Sequence, residues 1–241
     1  MKKILIAITL IMTILLTGCQ KNEKELVMAT EAGFAPYEYY EGGKIVGVDV
    51  DIANEIANEM GKKLVIKDVA FDSIINEIKT GKSDFGAAGI SYTKERAEEV
   101  SFTINYSSSK QVVIVKNNSA IANVNDIKNK KIAVQLGSIA DNYVTKNYEE
   151  ATIIRQKKYL AAVEDLQSSK VDAIVMDYLP AKEIIKNNNN LIILPGEVTS
   201  DNYGMIVKKD NKELLDTINK VLTRLKEEGK IDEFIIKHTS K

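Results

Sequence analysis

Residues 84–96, DFGAAGISYTKER, are the stretch around which the rest of the chain is arranged. They run from a small-residue strand through an exposed polar turn into the start of a helix, and small residues let a ligand approach the backbone closely. Gly89, Ser91 and Thr93 offer carbonyl, amide and hydroxyl groups. Arg96 presents a planar fork of donors suited to gripping a carboxylate or a phosphate bidentately. For these residues taken alone, a strand with a glycine-softened end and a surface arginine is the plainer alternative.

Working outward, 26–29 reads as a first strand that meets a turn-rich loop, 30–37, carrying Phe34 and Tyr37. Val50, Ala53, Ile56, Ala57 and Met60 fall on one helical stripe closed by Gly61. A second strand is expected at 64–66, then Phe71, Ile74, Ile75 and Ile78 repeat at helical spacing from Asp72, the expected cap, to Gly81. The opening stretch supplies the third strand. Two βαβ units in a row imply right-handed crossovers and a parallel sheet whose C-terminal strand ends share one rim, where ligands bind.

A second, similar series begins near Gln111. Apolar runs at 112–115, 132–134, 153–154, 173–175 and 191–194 have strand length, and 138–148 and 159–168 have helical periodicity. Pro180 suits the first turn of another helix, and 187–190 reads as a solvated turn. This is a second α/β lobe. A further strand follows at 204–207, then an amphipathic helix through Leu214, Ile218, Val221, Leu222 and Leu225 ended by Gly229, and a last helix from Ile231.

A length of 241 residues bounds one large or two small domains, and 44% hydrophobic with 28% charged residues is globular composition. Lys and Arg number 33 against 34 Asp and Glu, so no global field points to nucleic acid or an anionic surface, and no nucleic-acid partner is expected. The single His238 and single Cys19 argue against histidine-dependent acid–base chemistry and a Cys/His zinc site. Carboxylate-bound metals stay formally open; neither metal nor cofactor is expected.

At the N-terminus, Lys2 and Lys3 precede an apolar run, 4–16, too short for a comfortable membrane span and right for a signal peptide, expected over 1–18. Leu16-Thr17-Gly18-Cys19 resembles the lipobox of bacterial lipoproteins. That resemblance implies cleavage before Cys19, a lipid on it and a short tether, 19–24, on the outer face of the membrane. A buried or free cysteine after an ordinary signal peptide is the plainer alternative, but a secreted protein has little use for a lone thiol. Losing Lys2 and Lys3 takes the net charge from −1 to −3.

Five segments occur in order: 34–39 FAPYEY, 47–53 GVDVDIA, 88–96 AGISYTKER, 134–138 VQLGS and 171–173 VDA. Together they resemble the polar amino-acid-binding proteins of ABC transporters, family 3 solute-binding proteins of the type II periplasmic-binding-protein fold, over nearly all of the mature chain. The resemblance implies an α/β protein of two Rossmann-like lobes with mixed, mostly parallel sheets. Two crossovers, near 108–111 and 198–203, would join lobe 1 (25–109 with 201–241) to lobe 2 (110–200).

It also implies an α-amino acid held in the cleft. Arg96 would pair with its carboxylate, helped by backbone amides at Ser91 and at Ser138, which opens a helix. The ammonium would meet the Gly89 carbonyl, the Ser91 hydroxyl and the Asp177 carboxylate; Asp177 also has the plainer role of a helix cap. Ala88 adjoins this set. Phe34 and Phe71 would sandwich the ligand side chain. Glu31 stands where the family often contacts the far end of the substrate, and Gln135 is neutral where some glutamine binders carry a lysine. An acidic contact with no competing cation favours arginine, lysine or ornithine, with glutamine next. Ile139 and Met176 depart from smaller or polar residues of some relatives.

The resemblance further implies a monomer that closes on its ligand without chemistry and docks on a membrane permease. Two other classes stay open. A dehydratase-type enzyme on the same fold would place a general acid in the cleft, with Glu31 the candidate. A sensing or adhesion lipoprotein would keep the fold without transport.

Overall fold

Strand β1 (Glu25–Thr30) is followed by a hairpin, β2 (Tyr39–Glu41) and β3 (Lys44–Val46), then by α1 (Val48–Glu59) and β4 (Lys63–Asp68). A 3-10 turn, Phe71–Ser73, runs into α2 (Ile74–Lys79), and β5 (Phe85–Gly86), α3 (Lys94–Glu99) and β6 (Val100–Phe102) complete this part. The middle of the chain holds β7 (Ser107–Lys116), β8 (Lys131–Gln135), α4 (Ile139–Asn147), β9 (Thr152–Gln156), α5 (Tyr159–Gln167), β10 (Ala173–Asp177) and α6 (Tyr178–Lys186). Then come β11 (Leu191–Ile193), β12 (Thr199–Tyr203), β13 (Ile206–Lys208), α7 (Lys212–Glu227) and α8 (Lys230–Thr239). This computed structural model describes residues 24–240. The expected signal peptide, Cys19 and nearly all of the tether lie outside the described residues.

The strands form two main sheets, as the two-lobed expectation requires. The first has the order β4-β1-β5-β13-β6, with β1 parallel to β4 and β5 and with β13 antiparallel to β5 and β6. The second runs β11-β7-β10-β8-β9; β8 is parallel to β9 and β10, while β7 is antiparallel to β10 and β11. Both crossovers, expected as connecting chain, are strands. β12 lies antiparallel on β7 in the register Thr199↔Gln111 to Tyr203↔Ser107, so the two passages between sheets brace each other.

Core packing follows the periodicities. α1 buries Ile52, Ala53, Ile56 and Ala57, and α7 buries Leu214, Ile218, Val221, Leu222 and Leu225. α1 packs against α7 and α8, which brings the C-terminal helices back to the first sheet. His238 is structural: its Nε2 lies 2.9 Å from Asp51 Oδ2 and its Nδ1 3.1 Å from the Tyr39 hydroxyl, pinning α8 to α1 and the hairpin.

Two local expectations need correction. The third strand is only two residues long. Ala87, Ala88 and Gly89 carry almost no side chain to hold a strand, and Gly89 turns the chain at φ 53°. Asp72 caps no helix; it lies inside the 3-10 turn, which begins after Ala70. Among the described residues no helix is long and apolar enough to cross a membrane.

The start of α1 is tied directly to the 34–38 loop. Val48 N–H donates to Pro36 O and Asp49 N–H to Tyr37 O, both at 3.0 Å, which satisfies two amides that a helix N-terminus leaves free. Gly47 makes the approach possible: at φ 139°, a Cβ there would stand 2.0 Å from Tyr37 O. Gly47→Ala is therefore expected to destabilise the fold by about 3 kcal/mol or more, read as a lowered urea midpoint. A midpoint equal to wild type would show that the loop yields.

Candidate functional site

Strand ends from both sheets meet at one rim. In the first sheet, the ends of β1, β4 and β5 lead to Glu31 and Phe34, to Phe71, and to the turn through Gly89 and Ser91. In the second, β8 leads to Ser138, β9 to Lys158, and β10 ends on Asp177. The ten expected ligand residues, Ala88 among them, all line one cavity of about 10 Å³, and Glu38 and Ile139 complete its wall. A wider groove of about 820 Å³ shares Phe71, Arg96 and Ile139 with it and continues past Tyr143 and Lys146.

Arg96 sits in the first turn of α3, its own N–H held by the hydroxyl of the N-cap Thr93 at 3.1 Å. The side chain is buried. Nη1 donates to Ser91 O at 2.6 Å and Nη2 to Gly137 O at 2.8 Å, so one guanidinium spans loops that belong to different sheets. Its Cζ lies 5.5 Å from the centroid of the Phe71 ring. Burial lowers the pKa of Arg96, opposed by the negative charges of Asp201 and Asp177. A guanidinium has five N–H donors, so some remain for an anion.

Asp177 stands at the N-cap of α6 but makes no capping bond with its side chain. Its Oδ1 instead accepts from Ser109 Oγ (2.6 Å), Gln111 Nε2 (2.8 Å) and the Tyr203 hydroxyl. All three donors come from β7 and β12. Gln111 Nε2 also reaches Asp201 Oδ2 at 3.0 Å, and Asp201 Oδ1 accepts from Ser91 Oγ at 2.8 Å. Burial foremost, then the Asp201 charge, pushes the Asp177 carboxyl above its ordinary value, against the pull of its three donors. A cation beside it would restore the carboxylate.

Ser138 caps α4, its Oγ accepting from Asp141 N–H at 3.1 Å; its own N–H donates to Gln135 O at 3.1 Å, closing a turn. Gly89 N–H donates to Asp49 Oδ2 at 3.1 Å, and a Cβ on Gly89 would meet the Phe34 ring at 2.8 Å. Phe34 stacks between Tyr37 and Tyr159, with centroids 6.1 and 5.9 Å away. Phe71 lies by Arg96. The two expected sandwich rings thus line one cavity, each already facing a protein group.

Glu31 is buried, with Oε2 accepting from Gln135 Nε2 at 3.1 Å. The expectation that no cation competes at Glu31 is overturned: Lys158 Nζ lies 3.1 Å from Oε1 and 3.3 Å from Asp68 Oδ2. Lys158 escapes notice in the sequence because it is one of a surface-like Lys pair. Its place just past the end of a parallel strand was the available signal. Asp201, Gln111 and Ser109 were missed for another reason: only the pairing of the two crossovers turns them toward Asp177.

Beneath the site lies a second buried group. Glu38 and Asp49 are fully buried; Asp49 Oδ1 accepts from the Tyr106 hydroxyl at 2.7 Å, while neither oxygen of Glu38 receives a protein donor. Burial and the adjacent Asp49 charge push Glu38 well above the carboxylate range, and burial raises Asp49 to about 6. Burial thus favours the protonated form of Glu38, and its neighbour Asp49 in turn holds Gly89.

Residues 26–241 match the model of the bacterial extracellular solute-binding proteins, family 3. The chain belongs to that family. It is 29% identical over 222 residues to the arginine-binding extracellular protein ArtP of Bacillus subtilis, across 90% of this chain and 87% of the relative. It is 31% identical over 254 residues to a probable histidine-binding protein of Campylobacter jejuni, across 99% of each. A solved ancestral arginine-binding protein bound to arginine shares the fold with a TM-score of 0.84 at 36% identity, over 90% of this chain and 98% of that one. The family, the two-lobed α/β fold and the placing among amino-acid ABC-transporter binding proteins agree with the resemblance seen in the five sequence segments.

The carboxyl pair has a consequence for stability. Both groups keep protons in the fold at pH values where an unfolded chain has released them. Stability should therefore fall as pH rises from about 4 through about 6 and beyond. Glu38→Gln supplies a neutral donor at every pH, so its urea midpoint should change less than wild type between about pH 5 and pH 8. An equal or steeper fall would show that Glu38 does not carry the pH dependence.

Proposed function

We propose that this family member captures an L-α-amino acid, arginine first, then lysine or ornithine, with glutamine next, between its lobes and delivers it to an ABC permease. One observation carries this: Arg96 and Asp177, groups of opposite charge that start from different sheets, line the same cavity. An α-amino acid carries the complementary pair of charges. Ser91 and Gly89 add acceptors for the ammonium, Ser138 lies at a helix start that favours the carboxylate, and Phe34 and Phe71 supply flat faces for the side chain. Glu31 lines the cavity and Asp68 stands behind it, two carboxyl groups to the one ammonium of Lys158, which suits a ligand cation. The arginine-binding relatives support the same choice.

The cavity of about 10 Å³ is far smaller than any amino acid, so capture requires the lobes to part. We assign lobe 1 to 25–109 with 201–241 and lobe 2 to 110–200. Both boundaries then fall at paired positions, Ser109↔Asp201 and Lys110↔Ser200, where β7 and β12 run side by side as the hinge. Contacts from both lobes form only on closure, so the ligand's differential affinity shifts the population to the closed form. No reaction follows. Glu31, the candidate general acid, is held by Lys158 and Gln135 instead. Cys19, after Leu16-Thr17-Gly18, would carry the lipid that keeps the monomer at the outer membrane face beside its permease.

Calorimetric titration with common amino acids tests the assignment. Arg96→Ala should weaken binding by about a hundredfold or more, the loss of two charge-assisted hydrogen bonds. Arg96→Lys should rescue little, because an ammonium lacks the fork. Wild-type binding that survives Arg96→Ala unchanged would falsify the clamp.

Asp177 adds a second readout. A ligand ammonium favours its carboxylate form, so binding near neutral pH should release protons and tighten as pH rises. Titrations in two buffers of different ionisation enthalpy would show this release, and identical heats would show that Asp177 does not meet the ammonium.

A further inference from the structure

Glu31 lines the cavity, and behind it stand two further charged groups, Lys158 and Asp68, that the zwitterion clamp leaves unused. Glu31 Oε2 is taken by Gln135, and Oε1 lies 3.1 Å from Lys158 Nζ. The same ammonium lies 3.3 Å from Asp68 Oδ2, and Asp68 is itself anchored by the Ala32 N–H (2.9 Å) and the Tyr40 hydroxyl (3.2 Å). Lys158 reaches these two carboxylates from the other lobe. It precedes α5, whose first residue, Tyr159, is buried against Phe34, and its neighbour Lys157 accepts from Gln135 Nε2 at 3.1 Å. The backbone at Lys158 is therefore fixed. Its side chain is still 44% exposed, so the ammonium has room to swing between Glu31 and Asp68.

We propose that Lys158 sets how strongly this cleft prefers a cationic over a neutral side chain, because its ammonium occupies the Glu31 oxygen that a ligand cation would take. A guanidinium or ammonium arriving at Glu31 must push Lys158 onto Asp68. A neutral amide or urea leaves both ion pairs in place. Lys158 thus tempers the preference for cations and lets the cleft hold neutral ligands of the same shape. The inference rests on the amino-acid reading above, though not on which amino acid is natural.

The direction follows from charge. Without Lys158, Glu31 at the cavity and Asp68 behind it have no protein cation between them, so a neutral ligand closes over uncompensated charge while a cationic one neutralises part of it. Both effects raise the ratio of cationic to neutral affinity. Lys158 also bridges the lobes, but that contribution to closure acts on both ligands alike and drops out of the ratio.

L-arginine and L-citrulline, equal in length and differing in the charge of the terminal group, are the probes, titrated calorimetrically into the full extracytoplasmic chain. Lys158→Met should raise the arginine-to-citrulline affinity ratio by about tenfold or more, the size of one charge-assisted hydrogen bond. Lys158→Arg should leave the ratio near wild type. Asp68→Asn, which takes away the place to which Lys158 retreats, should lower it. If both ligands bind and the ratio does not move in Lys158→Met, or moves the other way, the proposal is overturned while the amino-acid reading stands. If neither ligand binds wild type or variant, the proposal is overturned, and titration with the other common amino acids decides the amino-acid reading separately.

Discussion

The buried guanidinium of Arg96 is the constraint on which the rest of the site depends. A charge removed from water must be met by dipoles or opposite charge, and Arg96 meets it with carbonyls from two different lobes, Ser91 O and Gly137 O. The loops that supply those carbonyls are built for the purpose. Gly89 turns at φ 53° where a side chain would strike Phe34, and Gly137 turns at φ 76° with its N–H held by Asp141 Oδ2 at 3.0 Å. Arg96 thereby ties loops of the two sheets to one buried charge.

The buried carboxyl of Asp177 is organised by the paired crossovers. Asp177 ends a strand of the second sheet, yet its hydrogen-bond donors, Ser109, Gln111 and Tyr203, all stand on the paired crossovers. Asp201 in the same strand pair reaches Ser91 on the Arg96 loop. A charge placed at Asp177 is therefore felt by both passages between the sheets, and not only by a side chain in a pocket. Beneath the other wall, buried Asp49 accepts from the Gly89 N–H and the Tyr106 hydroxyl, linking α1 to the Arg96 loop and to the start of the crossover, with Glu38 of the aromatic loop buried beside it. Such a network is costly if half-satisfied and rigid when complete.

Much of this was legible in the sequence. Apolar periodicity located β1, α1, α7 and the two α/β series, and rim placement brought all ten expected ligand residues to one cavity. Short-range signals failed where long-range pairing decides. The third strand shrank to two residues because Ala87, Ala88 and Gly89 give a sheet nothing to pack, and Asp72 lost its capping role to the geometry of a 3-10 turn. Lys158 read as solvated surface, and its approach to Glu31 depends on residues 127 positions apart meeting across the cleft.

By itself, then, the sequence determined the two-lobed α/β frame, the family, and the identity of the residues at the rim, because these follow from local periodicity and from motifs whose chemistry is carried by residue type. The tertiary structure alone decided which partners those residues have. Whether Asp177 caps a helix or bonds to the paired crossovers, whether Glu31 is free or paired, and which carboxyls are buried together are set by distances between segments remote in the chain. Electrostatic energies depend on those distances and on burial, neither of which local sequence specifies.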